Sequence, residues 1–338
     1  MSMILRLNLI AILLAAVVVI LGAYTRLTDA GLGCPDWPGC YGFLTVPDQA
    51  HEVAKAEQAF PERPVEAHKA WNEMIHRYFA GSLGLLIGVI WLLSLKIKRY
   101  RALTSSLLVL VCFQAALGMW TVTMNLAPLV VMGHLLGGFA TFSMLVLLAL
   151  TIRRSESSFL NEDRLAIAPQ TMFVSKLVLL ILVCQIALGG WTAANYAAVV
   201  CTELPVCEGE WQSKIDFDKA FSVPTGYSTY EYGVFPYEAR MTIHIMHRAG
   251  AVLTLFAVFW LVWLLLKSHN QAIRRFGYAL SSIVAVQFLL GVSNVVFQLP
   301  LGIAVAHNFV ALCLLACLLS LIFILKTKRK NLFNSALS

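Results

Sequence analysis

His76 and His247 each stand just inside a long apolar stretch with an arginine directly after, in the segments Glu73-Met74-Ile75-His76-Arg77 and His244-Ile245-Met246-His247-Arg248. Ionisable side chains are costly in hydrocarbon, so a histidine-arginine pair that occurs twice at such depth marks a functional site. Two more histidines stand in register with them. His76 to His134 is 58 residues and His247 to His307 is 60, while Gln114 to His134 and Gln287 to His307 are both 20. Each of the four lies about five to seven residues inside the outer end of its stretch, or roughly 8–11 Å at 1.5 Å per residue, which places them in one layer. Two imidazoles at equal depth on opposite helices form an axial pair for a haem iron.

The neighbours of these histidines sharpen that chemistry. Gly137 and Gly138 follow His134 by three and four positions, and Gly250 follows His247 by three. They share the ligand's helical face, where missing side chains are expected to leave room for a flat macrocycle. Arg77 and Arg248 are expected to meet haem propionates, since guanidinium forks suit carboxylates. The two segments differ one turn before the histidine, where the first has Glu73 and the second His244. At i, i+3 both project on the ligand's face. A carboxylate at Glu73 can stabilise developing positive charge or move protons. A division of labour follows, with one haem to be changed and one to carry electrons; His244 receives no role.

The elements that must position these residues are membrane helices. Of 338 residues, 59% are hydrophobic and 13% charged, against about 25% charged in soluble domains. Stretches long enough to cross hydrocarbon about 30 Å thick lie near 7–25, 71–95, 102–124, 128–152, 172–196, 240–267, 275–298 and 300–326. The first, which follows Arg6, is too long for a signal-peptide core and is read as a span. The segments on one side hold 16 of the 25 basic residues with 3 acidic ones, a net +13. The other side holds 9 basic with 15 acidic, a net −6, and the two sum to the chain's +7. The positive-inside rule therefore places both termini in the cytoplasm. The basic balance reports topology, and nucleic acid is not an expected partner.

The matched spacings predict an all-α membrane protein of eight transmembrane helices, built as two tandem-duplicated four-helix bundles. Residues 1–152 form the first bundle, 153–171 a polar cytoplasmic linker and 172–338 the second. An even number of spans per half gives parallel repeats. Two long outward loops, 26–70 and 197–239, each begin with cysteines six apart, Cys34 and Cys40, Cys201 and Cys207. On an oxidising outer face, as in a bacterial or mitochondrial inner membrane, two short-loop disulfides are expected. Cys112, Cys184, Cys313 and Cys317 fall inside spans and read as small apolar residues. His51, His68 and His269 read as solvated. The aromatic-rich segment 208–237 suits either a lid or plain interfacial anchoring.

Taken in order, these residues resemble the haem A synthase family, whose members oxidise haem O to haem A for cytochrome c oxidase. The likeness rests on Glu73 to Arg77, the histidines at 134, 247 and 307, both cysteine pairs, and Tyr24-Thr25-Arg26-Leu27-Thr28-Asp29-Ala30-Gly31-Leu32-Gly33 after the first span. It implies substrate haem O between His76 and His134, with Glu73 as the catalytic carboxylate. It also implies a haem b cofactor between His247 and His307. The reaction it implies oxidises the C8 methyl group to formyl in two successive hydroxylations. The setting would be the inner membrane, with the haem sites near the periplasmic face. Lipid, an electron acceptor, haem O synthase and cytochrome c oxidase assembly factors are the partners it suggests, and the oligomeric state stays open. Some members lack the first cysteine pair, and a Cys34–Cys40 bridge could be structural or redox-active. A dihaem b-type electron carrier and a haem-delivery protein are the competing readings. An electron carrier has no need for the Glu73/His244 asymmetry, whereas a catalyst does, and a delivery protein would hold a displaceable haem and leave it unchanged.

Overall fold

The computed structural model of the protein describes residues 2–156 and 169–335. Among these residues no strand forms. The helices are α1 (Met3–Leu27), α2 (Ala50–Ala59), α3 (Ala67–Ser94), α4 (Lys98–Thr123), α5 (Pro128–Glu156), α6 (Pro169–Ala194), α7 (Phe217–Ala220), α8 (Tyr237–Leu266), α9 (Gln271–Val296) and α10 (Leu301–Ser335). All but α2 and α7 are long and apolar enough to cross a membrane, giving eight spans. The expected linker begins later than residue 153, because α5 continues to Glu156 and α6 opens at Pro169; residues 157–168 lie outside the described residues. Proline opens α5 and α6, where its missing N–H costs no helical hydrogen bond.

Four spans end at the loop side by the same device. The N–H groups of Ala30, Leu126, Ala197 and Leu299 donate to the carbonyls of Thr25, Thr121, Thr192 and Asn294, five residues back, at 2.7–2.9 Å. This is the six-to-one bond of a Schellman cap, which needs a left-handed residue just before the donor. Asp29, Asn125, Tyr196 and Gln298 supply it with φ between 48° and 56°. None is glycine, so each of these turns accepts a conformation that L-residues adopt reluctantly. The chain is thereby turned sharply at the loop-side ends of α1, α4, α6 and α9.

The packing forms two squares that share a centre. α3 and α5 each pack on α1 and α4, while α8 and α10 each pack on α6 and α9. Helices α1, α5, α6 and α10 also contact across the squares. Leu145, Leu148 and Ile152 of α5 are buried there with Val174 and Val178 of α6 and Leu312, Leu318 and Leu321 of α10. Outward-facing Leu13, Leu85, Val109 and Phe256 stay exposed, the surface expected to meet lipid. Hydrophobic burial does not drive association between spans in lipid, so close packing and polar contacts must hold the squares together. Asn8, fully buried, donates from Nδ2 to the Leu145 carbonyl at 2.9 Å and ties α1 to α5. Asn8→Ala should lower stability by about 0.6 kcal/mol and by no more than about 1.7, read from unfolding in a detergent titration.

Candidate functional site: two histidine pairs beneath disulfide loops

The histidines lie on the diagonals of the two squares: His76 on α3 and His134 on α5, His247 on α8 and His307 on α10. Diagonal helices are held apart by their neighbours, so their side chains project into the interior. His76 and His134 face each other with ring centres 6.3 Å apart and planes at 86°. An imidazole nitrogen sits about 2.0–2.1 Å from a bound transition metal, so an ion shared by two facing rings puts the ring centres on the order of 6 Å apart. The spacing therefore fits a shared metal. Nδ1 of His76, His134 and His307 is buried without a hydrogen-bond partner. Buried polar atoms are normally satisfied, and an orphaned ring nitrogen at such a place suits a ligand set.

Glutamine amides lie against two of the four rings. Gln185 Nε2 lies 3.1 Å from His247 Nδ1 and donates to the His247 carbonyl at 2.9 Å. Gln287 Nε2 lies 3.2 Å from His307 Nε2. These amides also correct the reading of Gly137 and Gly250. A Cβ on Gly250 would meet Gln185 Oε1 at 2.2 Å and one on Gly137 would strike the Gln114 amide, while Gly138 faces Val19. The room left by Gly137 and Gly250 is filled by glutamine side chains from α4 and α6.

Glu73, only 5% exposed, is held at both carboxylate oxygens. Oε2 accepts the Cys34 N–H at 2.8 Å, and Oε1 accepts from the Arg77 guanidinium at 2.5 Å. The loop comes this close because its residue 33 is glycine: a Cβ there would lie 2.5–2.7 Å from the backbone of Lys69 and Ala70 in α3. Sulfurs of Cys34 and Cys40 are bonded, as are those of Cys201 and Cys207.

Both arginines turn into these loops. Arg77 donates to the carbonyls of Asp36 at 3.0 Å, Pro38 at 3.3 Å and Gly39. Arg248 donates to the carbonyls of Cys201, Glu203 and Val206 at 2.7–3.1 Å. Both guanidinium groups thus tie the disulfide loops onto α3 and α8. The physical reason is proximity: a seven-residue loop closed by a disulfide turns its carbonyls inward, and the residue after each histidine points at them.

The two loops differ as their helices do. His244, at the place of Glu73, is 5% exposed with Nδ1 unpartnered. The second loop's carboxylate, Glu208, accepts instead from Thr202, at 2.6 Å from its N–H and also from its hydroxyl. That bond lowers the carboxyl from 4.5 to about 2. A depressed carboxyl lends its stability above the ordinary value and loses it as pH falls through the folded one. Trp211, packed on the Cys201–Cys207 cluster, reports on this loop. Its fluorescence, taken as the difference from Trp211→Phe, should hold at pH 4.5 and change toward pH 2; Thr202→Val should move the midpoint upward.

The second loop also reaches over the first square. Tyr230 N–H donates to the Asn125 carbonyl at 3.0 Å, Asn125 Nδ2 donates to the Ser228 carbonyl at 2.9 Å, and Arg63 pairs with Glu231 at 3.3 Å. Arg26 donates to the Ala193 carbonyl at 2.6 Å and lies 3.8 Å over the Tyr196 ring. A polar cavity of about 180 Å³ remains between the loops, bordered by Asp29, Tyr41, Arg63, Glu66, Glu231 and Tyr232. Residues 228–231 therefore act as a strap, while Phe217, Phe221 and Tyr227 stay exposed as an interfacial fringe would. His51, His68 and His269 are exposed. Of the cysteines in spans, Cys112 and Cys184 are exposed and Cys313 and Cys317 partly buried.

These features define a multi-pass helical membrane protein with histidines set on the diagonals of two helix squares, beneath arginine-pinned disulfide loops. Residues 6–319 match the family described as cytochrome oxidase assembly protein, and the chain belongs to that family. It is 47% identical over 338 residues to the heme A synthase of Shewanella oneidensis, with 98% of each chain covered. It is 28% identical to the heme A synthase of Paracoccus denitrificans, covering 90% of this chain and 83% of that one. The heme A synthase of Chelativorans sp. is 25% identical over 88% of this chain and 84% of its own.

Proposed function

We propose that this chain is a haem A synthase, an oxidoreductase that converts the C8 methyl of haem O to formyl by two successive hydroxylations. The observation that carries the reading is Glu73. This carboxylate is buried one turn from His76, held by a backbone N–H and a guanidinium, and has no counterpart beside His247. A preorganised charge in a water-poor site stabilises developing positive charge without reorganising during the reaction. Family membership and 47% identity to a heme A synthase support it.

In this reading His76 and His134 hold substrate haem O, and Glu73 stabilises charge or takes a proton at the edge of that site. His247 and His307 hold haem b, which when bound supplies one-electron redox capacity. Gln185 and Gln287 lie against those two rings, their amide nitrogens 3.1 Å from His247 Nδ1 and 3.2 Å from His307 Nε2, and limit how the rings can turn. The Cys34–Cys40 bridge is structural: it shapes the loop whose Cys34 N–H fixes Glu73. The same reading takes the squares as tandem repeats, residues 1–152 and 172–338, with termini in the cytoplasm and haem sites toward the outer face of the inner membrane.

The test is the pigment itself. Protein purified from a host that makes haem O should release haem A or a hydroxylated haem O, identified by mass. Unmodified haems alone would overturn the proposal and favour a dihaem electron carrier.

A further inference from the structure

Each of the four histidine rings lies with its Cε1 edge on the bare backbone of a glycine in the span that precedes its own. A Cβ on Gly22 of α1 would come 3.0 Å from His76 Cε1, and one on Gly118 of α4 would come 3.4 Å from His134 Cε1. The corresponding distances are 3.1 Å from Gly189 of α6 to His247 and 3.2 Å from Gly291 of α9 to His307. Four independent helix pairs make the same contact with the same ring atom. It is not a general property of glycines in these spans, since Gly81, Gly88 and Gly302 face open space and Gly137 and Gly250 receive glutamines.

Cε1 lies between the two ring nitrogens, so whatever limits its approach sets where both nitrogens point. We propose that Gly22, Gly118, Gly189 and Gly291 are positioning residues: each is the seat that fixes the orientation of one haem-ligating imidazole. This rests on the haem-ligand reading given above. Three of the seats have a glutamine one turn earlier, at Gln114, Gln185 and Gln287, and the first span has Val18 there. At i and i+4 the two residues share a helix face, so amide and glycine bracket His247 and His307 from one neighbour, while the Gln114 amide lies beside Gly137. The His76 ring, facing His134, has the glycine without the amide.

Alanine is a better helix former than glycine, so helix propensity alone predicts no loss of folding on Gly→Ala. Contact geometry predicts a graded loss of ligation instead. At 3.0–3.2 Å the ring must give way, whereas 3.4 Å is close to ordinary contact. The experiment compares Gly189→Ala, Gly291→Ala, Gly22→Ala and Gly118→Ala with the control Gly302→Ala, using full-length protein and reading low-spin haem by electron paramagnetic resonance and haem retention by titration. Gly189→Ala and Gly291→Ala should lose low-spin haem b signal with roughly ten-fold weaker retention, the lower end for outer partners of metal ligands. Haem O in the first site should be unchanged. Gly22→Ala should show the mirror result, Gly118→Ala the smallest change, and Gly302→Ala none. An unaltered signal in Gly189→Ala, equal loss at both sites, or equal loss in the control would overturn the proposal. His247→Leu in the same preparation separates the two ideas: if it keeps low-spin haem b, the ligand reading fails, and if only it loses the signal, the glycine seats fail.

Discussion

Glu73→Gln is expected to lower conversion of haem O by about 10²- to 10⁴-fold, the range for loss of a positioned acid–base group, while both haems remain bound. Glutamine keeps a carbonyl that can accept the Cys34 N–H but loses the charge that faces Arg77. The loop is still pinned by Arg77 through the carbonyls of Asp36, Pro38 and Gly39, so the site keeps its shape. Turnover and bound pigment should therefore separate. Loss of bound haem in step with activity would make Glu73 a structural residue.

Arg77→Ala is expected to destabilise the protein by about 3–5 kcal/mol, the cost of leaving one partner of a buried ion pair alone. Glu73 is 5% exposed and its contact with Arg77 is 2.5 Å, so the carboxylate cannot turn to water. Adding Glu73→Gln to Arg77→Ala should recover part of the loss, because the unpaired charge goes with it. Arg248→Ala provides the comparison. It releases carbonyls of the second loop and strips no buried carboxylate of a hydrogen-bonded partner, and should cost less. Equal losses for the two arginines, with no recovery in the double variant, would show that the Glu73–Arg77 pair adds nothing beyond loop pinning.

The eight spans and the facing of His76 and His134 were legible because both are written in spacing and hydropathy. The cysteine pairs were legible as well, six apart at the start of each outward loop. The arginines were harder. A guanidinium suits a propionate and a ring of loop carbonyls equally well by type, and the bonds to the carbonyls depend on the path of the loop. Glycine raised the opposite difficulty. Gly137 and Gly250 drew notice by standing beside histidines in sequence, yet they face glutamines, whereas the glycines against the rings come from other helices. A signal for some of them was present: Gln114-x-x-x-Gly118, Gln185-x-x-x-Gly189 and Gln287-x-x-x-Gly291 repeat one spacing, and Gly118 to His134 and Gly291 to His307 are both 16 residues. The strap at 228–231 had no such signal, because its partners Asn125 and Arg63 lie more than a hundred residues away with no repeat or spacing to pair them.

Division of labour between the two squares is the central claim, and deleting one ligand from each tests it most directly. His76→Leu and His247→Leu are purified separately from a host that supplies haem O, and the pigment each retains is extracted and identified by mass. His76→Leu should carry haem b alone and form no product, and His247→Leu should carry haem O without converting it. The same mixture of pigments in both variants, or haem A from His76→Leu, would contradict the account.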